Sequence, residues 1–263
     1  MSRSCVVLGR LLLSGLSTSF AYQSETCVKS IPFKSFFTRT QHTSAMSQPA
    51  PPIVIKPKKN HTSTLIFLHG LGDSGHGWAD VFAHEIRNDN TKYICPNSAS
   101  RPVTLNMGMR MPAWFDIYGL DAASREDSEG IAQAARLVHG MIDAEMATGI
   151  PSEKIILGGF SMGGALALYA GLTYPHKLAG IVGLSSFLIQ RDKLPGNHTA
   201  NKETPIFLGH GANDFLVPLT FGQLTQALLK AFNPNVEFHV YNGMAHSSSP
   251  EVSVSLFLLE RRP

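Results

Sequence analysis

Ser161 lies at the centre of Gly159-Phe160-Ser161-Met162-Gly163, between the apolar run Lys154-Ile155-Ile156-Leu157-Gly158 and the helix-forming run Ala165-Leu166-Ala167-Leu168-Tyr169-Ala170. A strand, a tight turn and a helix with serine at the apex hold that hydroxyl exposed for nucleophilic attack, and the flanking glycines let neighbouring backbone approach without a side chain in the way. The same spacing arises by chance in glycine-rich chains, so the strand before and the helix after carry the argument. Serine is a weak nucleophile at neutral pH, and this turn therefore calls for a histidine base and an orienting carboxylate, in the chain order Ser, acid, His. Two acids stand in loops downstream. Asp192, in Gln190-Arg191-Asp192-Lys193, is flanked by basic residues and reads as part of a solvated surface loop. Asp214, in His210-Gly211-Ala212-Asn213-Asp214, follows the apolar run Pro205-Ile206-Phe207-Leu208, and active-site groups in open parallel sheets collect beyond the carboxyl ends of strands. Its bland alternative is a turn-forming Asp beside Gly211 and Asn213.

Five histidines follow Ser161, and their settings separate them. His176 comes after Pro175 just past the expected helix, and His198 is in a polar loop. His210 is at a strand end and suits a structural hydrogen-bonding role. His239 alternates within Val236-Glu237-Phe238-His239-Val240-Tyr241 and shares a face with Glu237 and Tyr241, opposite Val236, Phe238 and Val240. His246, in Gly243-Met244-Ala245-His246, follows that last strand, where a base can reach over the sheet's carboxyl edge to Ser161.

An oxyanion needs donors, typically the backbone N–H after the nucleophile and one from the loop after an early strand. The first is Met162. The second is Leu71, since the apolar run Thr64-Leu65-Ile66-Phe67-Leu68 enters His69-Gly70-Leu71-Gly72-Asp73-Ser74-Gly75. A Gly-rich turn of this kind also suits phosphate, but neither a Walker lysine pattern nor Gly-x-Gly-x-x-Gly occurs there.

His69-Gly70-Leu71-Gly72-Asp73, Arg101-Pro102-Val103-Thr104, Met111-Pro112-Ala113-Trp114-Phe115-Asp116, the serine turn, His210-Gly211 to Asp214 and Met244-Ala245-His246 occur in one order and spacing from about Ile53 onward. Together they resemble the acyl-protein thioesterase and lysophospholipase-like carboxylesterases. The resemblance implies an α/β-hydrolase fold and hydrolysis of palmitoyl thioesters on protein cysteines, with weaker action on lysophospholipids and small esters. Its partners would be S-acylated proteins and lipid-like acyl substrates, met with transient contact at a membrane surface. One position departs: relatives commonly carry Gln where this chain has Met162, so the backbone donor survives and any side-chain contribution does not. The segment from Leu105 to Phe115, with Leu105, Met107, Met109 and Met111 in alternation, resembles the family's acyl-binding lid loop. Flexible, polarisable Met side chains suit an adaptable apolar groove, although core packing is the commoner fate of such a stripe. Leu105, Met107, Met109 and Trp114 are accordingly expected to bind the acyl chain, with Phe187 on the far side. A non-catalytic acyl- or protein-binding module on the same fold is the competing class, and a complete Ser, Asp and His set argues against it.

These groups need a scaffold. With 43% hydrophobic and 16% charged residues the 263-residue chain can bury a sizeable core. Apolar strands are expected at 64–68, 92–95, 154–158, 178–184, 205–208 and 236–241, alternating with helices near 78–86, 128–147, 163–174, 221–232 and 250–259. That alternation predicts an α/β fold with a mostly parallel sheet covered on both faces. We expect the catalytic domain over 50–263 and a targeting leader or extension over 1–49. The net charge is +3, and residues 1–49 hold five Lys or Arg against Glu25, so the remainder offers no basic patch for nucleic acid. The extension is Ser- and Arg-containing and acid-poor, as mitochondrial leaders are, while a secretory reading is interrupted by Arg10. Met46 offers an internal start, and the cytoplasm is the expected compartment, with the mitochondrion as alternative. Cys5, Cys27 and Cys95 suggest no disulfide framework, and no paired His or Cys spacing suggests a metal. No cofactor is called for, and the sequence leaves the oligomeric state open.

Overall fold

The computed structural model describes residues 48–119, 121, 124–249 and 252. Nearly all of the expected N-terminal extension and of the helix expected over 250–259 lies outside these residues.

Six strands run parallel: β2 (Ser63–Leu68), β3 (Thr91–Cys95), β6 (Ile155–Phe160), β7 (Gly180–Leu184), β8 (Ile206–Gly211) and β9 (Val236–Tyr241). A short strand, β1 (Ile53–Ile55), closes one edge antiparallel to β3, and the order across the sheet is β1-β3-β2-β6-β7-β8-β9. Among the described residues the α-helices of defined extent are α1 (Gly75–His84), α2 (Ser128–Ala147), α3 (Met162–Thr173) and α4 (Leu219–Lys230). A separate antiparallel hairpin, β4 (Ser100–Val103) with β5 (Met109–Pro112), stands apart from the main sheet.

The two faces of the sheet follow from side-chain alternation along strands buried on both sides. Ile66, Leu68, Ile155, Leu157, Ile181, Ile206 and Leu208 pack with α2 and α3 in one core. Their neighbours Leu65, Phe67, Ile156, Val182 and Phe207 pack on the opposite face with Trp78 and Phe82 of α1. Helix α3 is apolar on nearly every side because it is covered by the sheet and by α2. Burial of Cys95 in the α1-side core pushes its thiol up to about 12, which makes it a packing group and not a nucleophile.

Every parallel strand falls where the sequence places it, β9 and α2 residue for residue and the other strand and helix ends within about three positions. The sequence reading misses β1 and the β4–β5 hairpin. Three-residue and four-residue strands carry too few alternations to register as a period, and Pro102 and Pro112 mask the hairpin as loop.

Candidate active site

The β6–α3 turn imposes an unusual backbone on Ser161, with φ 53° and ψ −121°. The turn is pinned from both sides: the Ser161 N–H donates to Leu184 O at 2.8 Å, and its carbonyl accepts from Ala165 N at 3.0 Å. The glycines are required by contact. A Cβ on Gly159 would stand 2.3 Å from Gly163 O, and one on Gly163 would stand 2.3 Å from Leu68 O, at the end of β2. Close packing of strand, turn and neighbouring strand thus leaves the serine as the side chain at the apex.

Asp214 and His246 converge on this serine from the loops after β8 and β9. His246 Nε2 is 3.0 Å from Ser161 Oγ, and His246 Nδ1 is 2.7 Å from Asp214 Oδ2. Asp214 is buried, and its other oxygen, Oδ1, accepts the backbone N–H groups of Leu216 at 3.0 Å and Val217 at 2.8 Å. The carboxylate is therefore held by its own loop and keeps one oxygen for the imidazole. A carboxylate on Nδ1 sets the tautomer that leaves Nε2 free to take the serine proton. Phe160 packs its ring 4.7 Å from that of His246 and limits where the imidazole can go. His210 joins the cluster in a structural capacity: Nε2 donates to Val217 O at 2.8 Å, and burial holds its pKa below the ordinary value. Asp192 is exposed in a one-turn helix, His239 is exposed and near Glu237, and neither meets His246.

The loop after β2 reaches the same point. A Cβ on Gly70 would lie 3.4 Å from Ser161 Cβ, so the backbone of this loop runs past the nucleophile. His69, fully buried, holds the loop: Nδ1 donates to Gly70 O at 2.7 Å while Nε2 accepts from Ser98 N at 3.1 Å. That pair of roles requires the neutral ring, and burial keeps its pKa low. Trp114 Nε1 donates to His69 O at 2.9 Å, and Gly72 N donates to Pro112 O at 2.8 Å. The Leu71 amide between these anchors donates to no acceptor among the described residues. The Met162 amide, at the first turn of α3, is one of the N–H groups that a helix start leaves without an internal partner. The amides of Leu71 and Met162 are thus left without an internal acceptor, in the loop and the helix start that adjoin Ser161.

The side chain of Met162 has a different destination from the one its place beside the nucleophile suggests. It is buried in the α2–α3 core, and its Sδ accepts the backbone N–H of Trp114 at 3.4 Å. The residue at this position therefore acts on the fit between the turn and the 112–115 segment.

A cavity of about 440 Å³, within the size range of small-molecule sites, has Leu216 and Val217 in its wall, the residues whose amides bond Asp214, while Ser161, Asp214 and His246 do not line it themselves. Phe115, Ile117, Phe187, Leu216, Val217 and Leu228 give it an apolar wall. Phe187 thus lines it as the sequence reading expects. Leu105, Met107, Met109 and Trp114 do not line it. Met107 takes a left-handed backbone (φ 55°) and is 90% exposed, while Leu105 and Met109 are also exposed, so the expected single extended face is broken at the hairpin tip. Trp114 is a buried brace for the β2 loop. Sequence reasoning does not find Ile117, Leu216, Val217 or Gln190 as lining, because cavity walls assembled from distant loops leave no local period. Among the described residues, no group of three or more His, Cys, Asp or Glu could hold a metal ion, and no helix is long and apolar enough to cross a membrane.

Comparison with known proteins agrees with this geometry. Acyl-protein thioesterase 1 of Neurospora crassa is 43% identical over 226 residues, covering 81% of this chain and 92% of the relative. The Schizosaccharomyces pombe acyl-protein thioesterase 1 is 44% identical over 210 residues, covering 78% and 92%. The crystal structure of Zea mays acyl-protein thioesterase 2 superposes with a TM-score of 0.70 at 34% identity, covering 80% of this chain and 98% of that one. The family model described as phospholipase/carboxylesterase matches residues 50–256. With an α/β-hydrolase sheet, a serine turn and relatives at this identity along most of its length, the chain belongs to the phospholipase/carboxylesterase family of serine hydrolases.

Proposed function

We propose that this enzyme hydrolyses acyl thioesters on protein cysteines, palmitoyl groups among them, through a Ser161 acyl-enzyme. The observation that carries the reading is the unbroken hydrogen-bond chain from Ser161 Oγ through His246 to Asp214. The relatives named as acyl-protein thioesterases support the acylated-protein class of substrate.

In this mechanism His246 Nε2 removes the Ser161 proton as Oγ attacks the thioester carbonyl, and Asp214 stabilises the resulting imidazolium. The Leu71 and Met162 amides receive the tetrahedral oxyanion. Collapse breaks the C–S bond, and the departing cysteine thiolate takes the proton from His246, which returns the imidazole to its neutral form. A water deprotonated by His246 then attacks the acyl-serine ester; collapse returns the proton to Ser161 Oγ and releases the fatty acid. The apolar cavity wall accommodates the acyl chain. The exposed hairpin side chains Leu105, Met107 and Met109 support a separate reading of this segment, as the part that touches a membrane surface transiently.

The decisive measurement compares a palmitoylated peptide with lysophosphatidylcholine at equal concentrations. Higher kcat/KM on the peptide thioester supports the reading. Higher kcat/KM on the lysophospholipid would replace it with a lysophospholipase or carboxylesterase function, the other activity that the family's description names.

A further inference from the structure

The cavity that Leu216 and Val217 connect to Asp214 is not apolar throughout. One part of its lining is close to the reacting groups: Phe115 follows Trp114, whose N–H is bonded to Met162, and Leu216 and Val217 donate their amides to Asp214. From Leu184, whose carbonyl holds Ser161, the chain passes Phe187, Leu188 and Ile189 along the wall and then reaches Gln190. There the lining changes character. Gln190 is 5% exposed, and it reaches across to the segment that precedes α2. Its backbone N–H donates to Glu126 Oε2 at 2.8 Å, its side-chain Nε2 donates to the same oxygen, and Nε2 is also 3.0 Å from Ser128 Oγ. Glu126, Ser128 and Gln190 all line the cavity.

This arrangement persists against local preference. Gln190 has φ 49°, a left-handed backbone uncommon for any residue but Gly, Asn or Asp, and its buried Oε1 has no hydrogen-bond partner among the described residues. Both features disfavour the folded state, and charge-assisted bonds to Glu126 are the compensating contacts. Their effect is to tie two cavity walls, 115–131 and 187–193, together with polar groups. An acyl chain long enough to reach that tie meets a carboxylate and an amide already bonded to each other. To pass, it must separate them or bury methylenes against them.

We propose that Gln190 is a specificity-determining residue which, clamped to the exposed Glu126 and Ser128, narrows the acyl cavity with polar groups and favours medium-chain over long-chain acyl groups. The inference rests on the acyl-thioesterase reading and adds the chain length that this chain's own residues select. Palmitoyl remains a substrate, with lower efficiency than a chain that stops short of the clamp.

The test compares kcat/KM for octanoylated and palmitoylated forms of one cysteine peptide, with the unmodified protein and with Gln190→Leu, Gln190→Met and Glu126→Ala. A fluorophosphonate probe on Ser161 reports that each variant is folded with a reactive serine. The unmodified protein is expected to prefer octanoyl, and each clamp-breaking change is expected to raise the palmitoyl-to-octanoyl ratio about tenfold, the effect of fitting or rejecting a methylene in an apolar site. An unchanged or lowered ratio in probe-reactive variants would overturn the clamp and leave the thioesterase reading standing. If the unmodified protein takes the probe but cleaves neither peptide, the thioesterase reading itself falls, and this inference with it. Gln190→Met keeps the length and removes the amide, so it separates the polar clamp from simple filling of space.

Discussion

The sulfur of Met162 accepts the backbone N–H of Trp114 at 3.4 Å, tying the residue after the nucleophile to the segment that braces the oxyanion loop. Trp114 in turn donates its indole N–H to His69 O. The β2 loop and the start of α3 are thereby cross-linked through one thioether and one indole.

Replacing Met162 should therefore act through alignment and packing. Met162→Gln offers an amide oxygen to the Trp114 N–H and is expected to keep kcat within a few-fold. Met162→Ala opens a cavity at a position only 1% exposed and should cost about 2–5 kcal/mol in stability. Because the 162 amide survives in both, KM should move little in either. Urea unfolding together with steady-state kinetics measures these effects. A Gln variant as unstable as the Ala variant would show that the sulfur contact contributes nothing beyond volume.

The acid is assigned by a second pair of variants. Asp214→Asn keeps an oxygen for the Leu216 and Val217 amides but turns an NH₂ toward His246, which favours the wrong imidazole tautomer. The expected fall in kcat is on the order of ten-thousand-fold. Asp192→Asn, in the exposed one-turn helix, should leave the rate unaltered. Ser161→Ala should abolish acyl-enzyme formation, read by mass spectrometry after brief exposure to an acyl thioester. An Asp214→Asn enzyme with near-native turnover would require a different acid.

How much of this is readable in the chain depends on the range of the signal. Ser161, Asp214 and His246 stand at the ends of apolar strands, where both residue type and position are local properties, and the structure brings all three together. Leu71 follows from the same logic, because a strand that enters a Gly-rich loop is visible in one window. Leu105, Met107 and Met109 do not form the expected shared face, for an equally physical reason. Alternation predicts a shared face only while the backbone stays extended, and Met107 turns left-handed at the hairpin tip. Gln190 is invisible for the opposite reason: its partners Glu126 and Ser128 are more than sixty positions away in sequence.

Acid should weaken the fold through buried histidines. His69 and His210 are both held below the ordinary value of 6.5, by burial above all. A lowered pKa means that, as pH falls below 6.5, the unfolded chain takes up protons that the folded chain does not. Stability is then fully present above 6.5 and declines as pH drops toward the folded-state values. Each histidine adds a slope of at most about 1.4 kcal/mol per pH unit. Denaturant melts between neutral pH and pH about 5 should show this decline, and His210→Gln, which can still donate to Val217 O, should make it shallower. Identical slopes in the two proteins would mean that His210 titrates alike in both states.

The exposed hairpin gives the last test, because its methionines are free of duties in the core. Met107 is 90% and Met109 54% exposed, so Met107→Ser with Met109→Ser should change stability by no more than about 0.5 kcal/mol, as exposed substitutions usually do. Neither residue lines the cavity, and hydrolysis of a soluble octanoylated peptide should proceed as before. If this tip is what meets a membrane, hydrolysis of a palmitoylated peptide anchored in phosphatidylcholine vesicles should fall at least several-fold, since apolar side chains at a bilayer surface contribute in proportion to the area they bury. A double variant that loses both activities equally would place these methionines at the acyl chain after all. One that loses neither would remove the hairpin from membrane contact.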